Sequence, residues 1–342
     1  MAQLFRLLTE QQVHSLLPMS DLITAMEAAL AKFSAREVLQ PVRTVLTVGP
    51  TKAYYGLMPA YIPSQGTGPR DAGAASWGGS MGAKLVTVFA DNHKRHLPSH
   101  LATILLLDPE TGALQAIMDG RYITEARTAA VSAVSTRFLA RADAATLAII
   151  GSGVQARSHL EAYQHVRQLK QVRIWSPSAR SRSQFVDDMS GRHGVPIVAA
   201  DTAEAAVRGA DLIVLVTSSP TPVIDDAWVS DGAHVVCVGA CRPNQQEMPP
   251  ALVKRARLYV DSTEAALVEA GDIVMNISAG LFDASHIRGE IGELVLGRVP
   301  GRSSPHDITI FKSLGMAVED VVAADLVFRR AAESGAGTEL TL

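Results

Sequence analysis

Cysteine is nearly absent from this chain. Cys237 and Cys241 are the only two, and their spacing fits neither a zinc pair nor a C-x-x-C redox site. A disulfide framework is thereby excluded, and both residues read as reduced thiols of a cytoplasmic protein. The ten histidines show no H-E-x-x-H or comparable spacing, which predicts no bound metal. Excess positive charge is missing too: the net charge is −3, so nothing suggests a nucleic-acid partner. No apolar run approaches the ~20 residues needed to span a bilayer. The N-terminal stretch MAQLFRLLTEQQV lacks the long apolar core of a signal peptide. With 47% apolar and 19% charged residues, the composition is that of a compact soluble protein. At 342 residues the chain exceeds the usual single core, which predicts two domains.

The stretch ATLAIIGSGVQARSHLEAYQHVRQLKQVRIWS, residues 145–176, carries the most information. A short apolar run, Ala145 to Ile150, stops at Gly151, Ser152, Gly153, Val154, Gln155 and Ala156. An amphipathic helical pattern follows, then a second strand-like run from Gln171 to Trp175. In a strand–glycine turn–helix–strand unit, Gly151 permits the tight turn and Gly153 lets backbone N–H groups approach a pyrophosphate. Ala156 keeps the helix close to the sheet, and the helix N-terminus favours phosphate charge. A lone G-x-G-x-x-A is often only a turn; the flanking elements make it a dinucleotide site. NAD-selective chains place an acid about 20 residues beyond the glycines. Here Ser176, Ser178, Arg180 and Arg182 follow the second strand, with no acid until Asp187. Hydroxyls and guanidinium groups suit a 2′-phosphate, so NADP(H) is the preferred cofactor and NAD(H) the alternative. A solvated helix start is the plainer account of the two arginines.

Along the rest of the chain, residues 9–34 read as helical, with Thr9 as a cap. VRTVLTV, AYYGLMPAY, AKLVTVFA and HLATILLLD, between Val42 and Asp108, are strand-like runs without a helix between them, which predicts an antiparallel or mixed sheet. Asp108 to Gly112 is a hairpin turn, and LQAIMDG continues the sheet. Residues 62–83, rich in Gly, Ser and Pro, form a long loop, either a lid beside the next strand or a tolerated insertion. Residues 121–141 form an Ala-rich helix. From 145 to about 275 strands and helices alternate, the doubly wound parallel pattern. A helix opens at Thr309 and reaches about Arg330, and the last ten residues look frayed. The fold class is therefore α/β: a Rossmann-type doubly wound parallel sheet over 129–317, plus a mixed α+β domain over 1–128 and about 318–342.

Three cations sit in apolar surroundings outside the glycine turn: Arg43 in QPVRTVL, Lys84 in AKLVTVF and Arg127 in ITEARTAAV. A buried cation costs several kcal/mol unless an anion answers it. Internal acids would explain each; three together suggest a cage for the carboxylate of a small acid substrate.

QPVRT (40–44), GLMPAY (56–61), KLVTVF (84–89), MDGRYITEARTAAVSA (118–133), GSGVQA (151–156), YVDSTEAALVEAGD (259–272) and IFKSLGMAVEDV (310–321) resemble, in order, the ornithine cyclodeaminase/mu-crystallin family, nearest its ketimine reductase branch. The resemblance implies a homodimer built on the mixed-sheet domain, and reduction of a small imino acid by hydride from NAD(P)H. It assigns Arg43, Lys84 and Arg127 to the substrate-carboxylate and catalytic cluster; neighbouring cations should lower the Lys84 pKa, which makes it the candidate for positioning or protonating the imine nitrogen. It assigns the glycine turn, the 176–182 stretch, Val216, Thr217, Ser218, Val238 and Gly239 to the nucleotide. Cyclodeaminases carry an aspartate where this chain has Cys241, and a thiol cannot answer an ammonium, which speaks against ornithine cyclisation; Cys241 is a weaker catalytic candidate. The alternatives are an amino-acid dehydrogenase or cyclodeaminase, and a non-catalytic NADP-binding crystallin or small-ligand (hormone) carrier.

Overall fold

The computed structural model describes residues 3–49, 53–64 and 79–342. Residues 65–78 lie outside the described residues; the expected 62–83 loop is narrower than its sequence bounds, because Ile62 still belongs to one strand and 80–83 to the next. The chain divides into two compact units, Met1–Arg127 with Met316–Leu342, and Thr128–Gly315.

The first unit opens with β1 (Leu4–Leu8), α1 (Glu10–Leu16) and α2 (Met19–Ser34). Thr9 starts α1 as expected: Gln12 N donates to its hydroxyl, and Thr9 N donates to the Gln12 carboxamide oxygen. That reciprocal cap satisfies two backbone donors that the helix itself cannot. On α2, Leu22, Ile23, Met26, Ala29, Leu30 and Phe33 recur every three or four residues and are all buried, the stripe of a helix facing a core. Next come β2 (Thr44–Val48), β3 (Ala53–Ile62), β4 (Ser80–Val88), β5 (His100–Leu107) and β6 (Leu114–Asp119). Successive strands pair antiparallel. One 3₁₀ stretch, Ala90–Arg95, lies between β4 and β5, where the sequence pattern shows no helix. Asp108 closes the β5–β6 hairpin by accepting from the N–H groups of Glu110 and Thr111. The chain then enters α3 (Arg121–Leu139).

The second unit runs β7 (Thr146–Ile150), α4 (Val154–Gln164), β8 (Gln171–Trp175), α5 (Ala179–Met189), β9 (Ile197–Ala199), α6 (Ala203–Val207) and β10 (Leu212–Leu215). It continues through β11 (His234–Cys237), α7 (Pro250–Arg255), β12 (Arg257–Val260), α8 (Thr263–Glu269), α9 (Gly271–Ser278), β13 (Ile287–Glu290), α10 (Ile291–Val295) and β14 (Thr309–Lys312). Among the described residues these strands form one parallel sheet in the order β13-β12-β14-β11-β10-β7-β8-β9. β10, β11 and β14 are buried at every position, as strands covered on both faces must be. The order reverses at β7, with β8 and β9 on one side and β10 on the other. That reversal is where doubly wound sheets open a ligand crevice at the strand C-termini.

Two sequence expectations fail here. Thr309–Lys312 is not the start of a helix but the strand β14, slotted between β11 and β12, so the parallel sheet is complete only at Lys312. The helix, α11 (Ala317–Ser334), starts at Ala317 and ends at Gly335, whose φ of 70° suits glycine. α11 returns to the first unit and packs on α2, β3, β4 and β5. The expected frayed terminus is β15 (Thr338–Thr341), paired antiparallel with β1. The first unit's sheet thus reads β15-β1-β6-β5-β4-β3-β2 and is mixed, because β1 and β6 run parallel.

Candidate active site

The glycine turn follows β7 at the reversal point. Gly151 has a φ of +117°, and a Cβ there would stand 2.5 Å from the Val216 carbonyl oxygen. The turns after β7 and β10 therefore touch through backbone, which only glycine allows. At Gly153 a Cβ would meet nothing within 4 Å. Gly153 heads α4 with no side-chain cap, so the first-turn N–H groups, including those of Val154, Gln155 and Ala156, face an anion-ready space. Ala156 is fully buried beneath them. A cavity of about 870 Å³ opens past the ends of β8 and β10, against Trp175, Pro177, Asp201, Glu204, Thr217 and Ser218. These residues fit a dinucleotide: a close-approach turn, an uncapped helix N-terminus and an open cavity at one end of the sheet.

Past β8, the two arginines part company. Arg182 donates to the Ser176 carbonyl at 2.6 Å, holding the loop, whereas Arg180 is exposed and forms no ion pair among the described residues. Ser152 Oγ donates to Ser176 Oγ at 2.9 Å, and Ser178 caps α5 by accepting from Ser181 N.

Beneath the turns lies a group of residues that sequence reading did not single out. Glu247 is fully buried. Its Oε1 accepts from Thr217 N at 2.6 Å and Thr217 Oγ1 at 2.7 Å. Its Oε2 accepts from Gly239 N at 2.6 Å and Ala240 N at 3.1 Å. One carboxylate thus ties the loop after β10 to the loop after β11. Lys312, at the end of β14, lies 3.3 Å from Asp272 Oδ2 and 3.4 Å from Cys237 Sγ. Burial opposes its charge, but the carboxylates of Asp272 and Glu247 help hold its pKa above the usual lysine value. Burial also pushes the Cys237 thiol up. Cys241 belongs to this unit too, where its thiol donates to the Val238 carbonyl at 3.0 Å.

In the first unit, Lys84 occupies the middle of β4 on the face shared by Ser80, Gly82 and Val86, and is 1% exposed. Its Nζ lies 2.6 Å from Asp320 Oδ2 and donates to Thr124 Oγ1 at 3.3 Å. Arg127, on α3, donates through Nε to Asp320 Oδ1 at 3.0 Å and through a terminal nitrogen to Glu319 Oε2 at 2.6 Å. Both acids sit in the first turn of α11 and are 0% exposed. Internal acids therefore do answer Lys84 and Arg127. Arg43, half-buried just before β2, acts on the same group through its charge. Lys84's pKa is pulled down to about 8, first by burial and then by Arg127 and Arg43, with Asp320 opposing them. Arg127 and Lys84 keep Asp320 below the usual carboxylate range despite its burial. His100, which begins β5, is held neutral with a pKa near 4 by burial and by the cations Lys84 and Arg127.

The family profile of the "Ornithine cyclodeaminase/mu-crystallin family" matches residues 5–335. The chain belongs to this family. It is 41% identical over 312 residues to the rat (Rattus norvegicus) "Ketimine reductase mu-crystallin", spanning 90% of this chain and 91% of that protein. It is 34% identical over 334 residues to a "Delta(1)-pyrroline-2-carboxylate reductase" of Bacillus cereus, spanning 97% and 98%. Among solved structures it is similar to the Thermococcus litoralis Delta(1)-pyrroline-2-carboxylate reductase in complex with NADH and L-proline. The TM-score is 0.91 at 34% identity, over 98% of this chain and 99% of that one.

Within the family's IFKSLGMAVEDV stretch, Glu319 and Asp320 were legible only as helix residues. One signal was available: two successive acids among Met316, Ala317, Val318, Val321 and Val322 must find cations once that face is buried.

Proposed function

We propose that this protein is an NAD(P)H-dependent imine reductase that converts an α-imino acid, cyclic or formed from a 2-oxo acid and an amine, into the corresponding amino acid. The observation that carries the reading is the Lys84–Asp320–Arg127–Glu319 cluster, a buried lysine with a pKa near 8 beside a guanidinium held in place, in a family whose named relatives reduce imines. Gly151, Gly153, Val154, Gln155 and Ala156 would hold the cofactor's phosphates, and Val216, Thr217, Ser218, Val238 and Gly239 would contact its nucleotide. When bound, the nicotinamide supplies the hydride that the C=N carbon takes up. Arg43 and Arg127 bind the substrate carboxylate and orient the imine, a contribution of proximity. Lys84 protonates the imine nitrogen. A pKa near 8 leaves it charged at neutral pH yet close enough to release the proton. Cys241, its thiol given to a carbonyl, is a weaker donor candidate than Lys84.

NADPH is the preferred reductant in this reading, with NADH an alternative, because exposed Arg180 stands with Ser176 and Ser178 where NAD-selective chains place an acid. The protein works as a homodimer in the cytoplasm. The test is to incubate the purified protein with NADPH or NADH and a panel of cyclic, branched and dicarboxylic imines that includes Δ1-piperideine-2-carboxylate. Cofactor oxidation with NADPH favoured is the expected outcome, and Ser176→Asp should move preference toward NADH. Tight NADPH binding without oxidation on any imine would instead make the protein a carrier.

A further inference from the structure

The family assignment and the proposed reaction give Asp320 no role, yet its two oxygens do two separate things. Oδ2 sits 2.6 Å from Lys84 Nζ, and Oδ1 accepts from Arg127 Nε at 3.0 Å. Arg127 has a second acid, Glu319, at 2.6 Å. Among the described residues Lys84 has no second acid, and its other hydrogen-bond partner is the neutral hydroxyl of Thr124. The charged and titratable groups around the amine come from every packed element. Asp320 and Glu319 lie on α11, Arg127 on α3, Arg43 before β2 and His100 on β5. Two of the five are cations that repel the ammonium, and His100 is neutral. Burial acts in the same direction as the cations. Asp320 is thus the anion that directly opposes loss of the Lys84 proton.

We propose that Asp320 is the positioning residue of this site, a single buried carboxylate that fixes Lys84 and Arg127 relative to each other and keeps the Lys84 amine protonated until it meets the imine. The inference rests on Lys84 being the proton donor. In the step itself an N–H bond breaks at Lys84 Nζ and forms at the substrate nitrogen, leaving a neutral amine beside Asp320. The carboxylate then favours uptake of a replacement proton from water, which resets the donor. Asp320 touches neither substrate nor cofactor in this scheme; it acts through Lys84.

The test reads the amine directly, independent of turnover. In protein labelled with 13C-lysine, the Lys84 ε-carbon resonance is identified by its loss in Lys84→Arg and then titrated. In the unmodified protein its midpoint is expected near 8. Asp320→Asn is expected to lower it by about one pH unit or more, the usual effect of an adjacent opposite charge. Asp320→Glu keeps the charge but shifts it by a methylene, so the midpoint stays near that of the unmodified protein while imine turnover falls. A midpoint unmoved in Asp320→Asn overturns the proposal. Should that variant fail to fold, as judged by cofactor titration, a lowered midpoint in Asp320→Glu overturns it instead. The alkaline limb of kcat/KM for imine reduction, where activity falls as Lys84 loses its proton, should track the midpoint downward. If the midpoint moves and the limb stays, Asp320 holds the amine as proposed but Lys84 is not the donor, and it is the reaction assignment that fails.

Discussion

A cation in a protein interior is answered either by substrate or by the protein, and at Arg127 the protein answers first. Its two acids are buried, so Arg127→Ala removes the guanidinium from both Glu319 and Asp320, although Asp320 keeps Lys84. Breaking a buried pair costs on the order of 3–5 kcal/mol. The variant should therefore lose stability as well as substrate affinity, with a lower Tm and a raised KM. Lys84→Ala leaves Asp320 still bonded to Arg127, so its loss of stability should be smaller. Its kcat should fall more than its KM rises, because the proton is delivered in the transition state. Melting temperature and initial rates on the two variants check both outcomes, and wild-type turnover in Lys84→Ala would remove Lys84 from the mechanism. The cations were legible in the sequence because a lone Lys or Arg in an apolar run stands out. Their partners were not. An acid in a helix's first turn reads as a favourable dipole contact in water, and only tertiary packing distinguishes that from a buried ion pair. Glu247 was hidden for the same reason, since the loops whose N–H groups it joins meet only in the folded sheet.

At the scale of elements, local pattern was decisive where contacts are local. The capping box at Thr9, the alternation of β3 to β5, the Asp108 turn and the β7–α4–β8 unit all declare themselves within a few residues. β14 does not. Ile310 and Phe311, between Thr309 and Lys312, are too short an apolar run to show alternation, and such a run cannot be told from buried helix by periodicity. β15 is fully exposed and acquires its form only by pairing with β1, at the opposite end of the chain. The glycine turn permits a sharper test than its motif. At Gly151 a methyl would collide with the Val216 carbonyl and the φ is positive, so Gly151→Ala should lose stability and cofactor binding together. At Gly153 the methyl has room and the φ is −82°. Gly153→Ala should cost the fold about 1 kcal/mol or less. By covering the first-turn N–H groups it should still weaken cofactor binding about tenfold or more, roughly 1.4 kcal/mol. Cofactor fluorescence titration beside thermal melts separates the two variants. Unchanged affinity in Gly153→Ala would mean that the phosphates do not rest there.

Across the whole molecule, the feature still to be accounted for is the outer edge of the first unit's sheet. β2 is the edge strand, its five residues are all exposed, and Val45, Leu46 and Val48 are among them. Exposed apolar residues on an edge strand invite pairing or aggregation unless something covers them. No proline or charged side chain blunts this strand, which reads Thr-Val-Leu-Thr-Val. A second copy of the chain would cover such an edge, so the protein should be a dimer through its first unit. Light scattering across a dilution series is expected to show a dimer mass. Leu46→Lys places a charge among the apolar edge residues at a position 56% exposed, where a monomer's fold would tolerate it. This variant should dissociate the dimer while keeping cofactor affinity, because the glycine turn belongs to the other unit. A protein that stays monomeric at every concentration would refute the dimer. A Leu46→Lys variant that remains dimeric would move the interface away from β2.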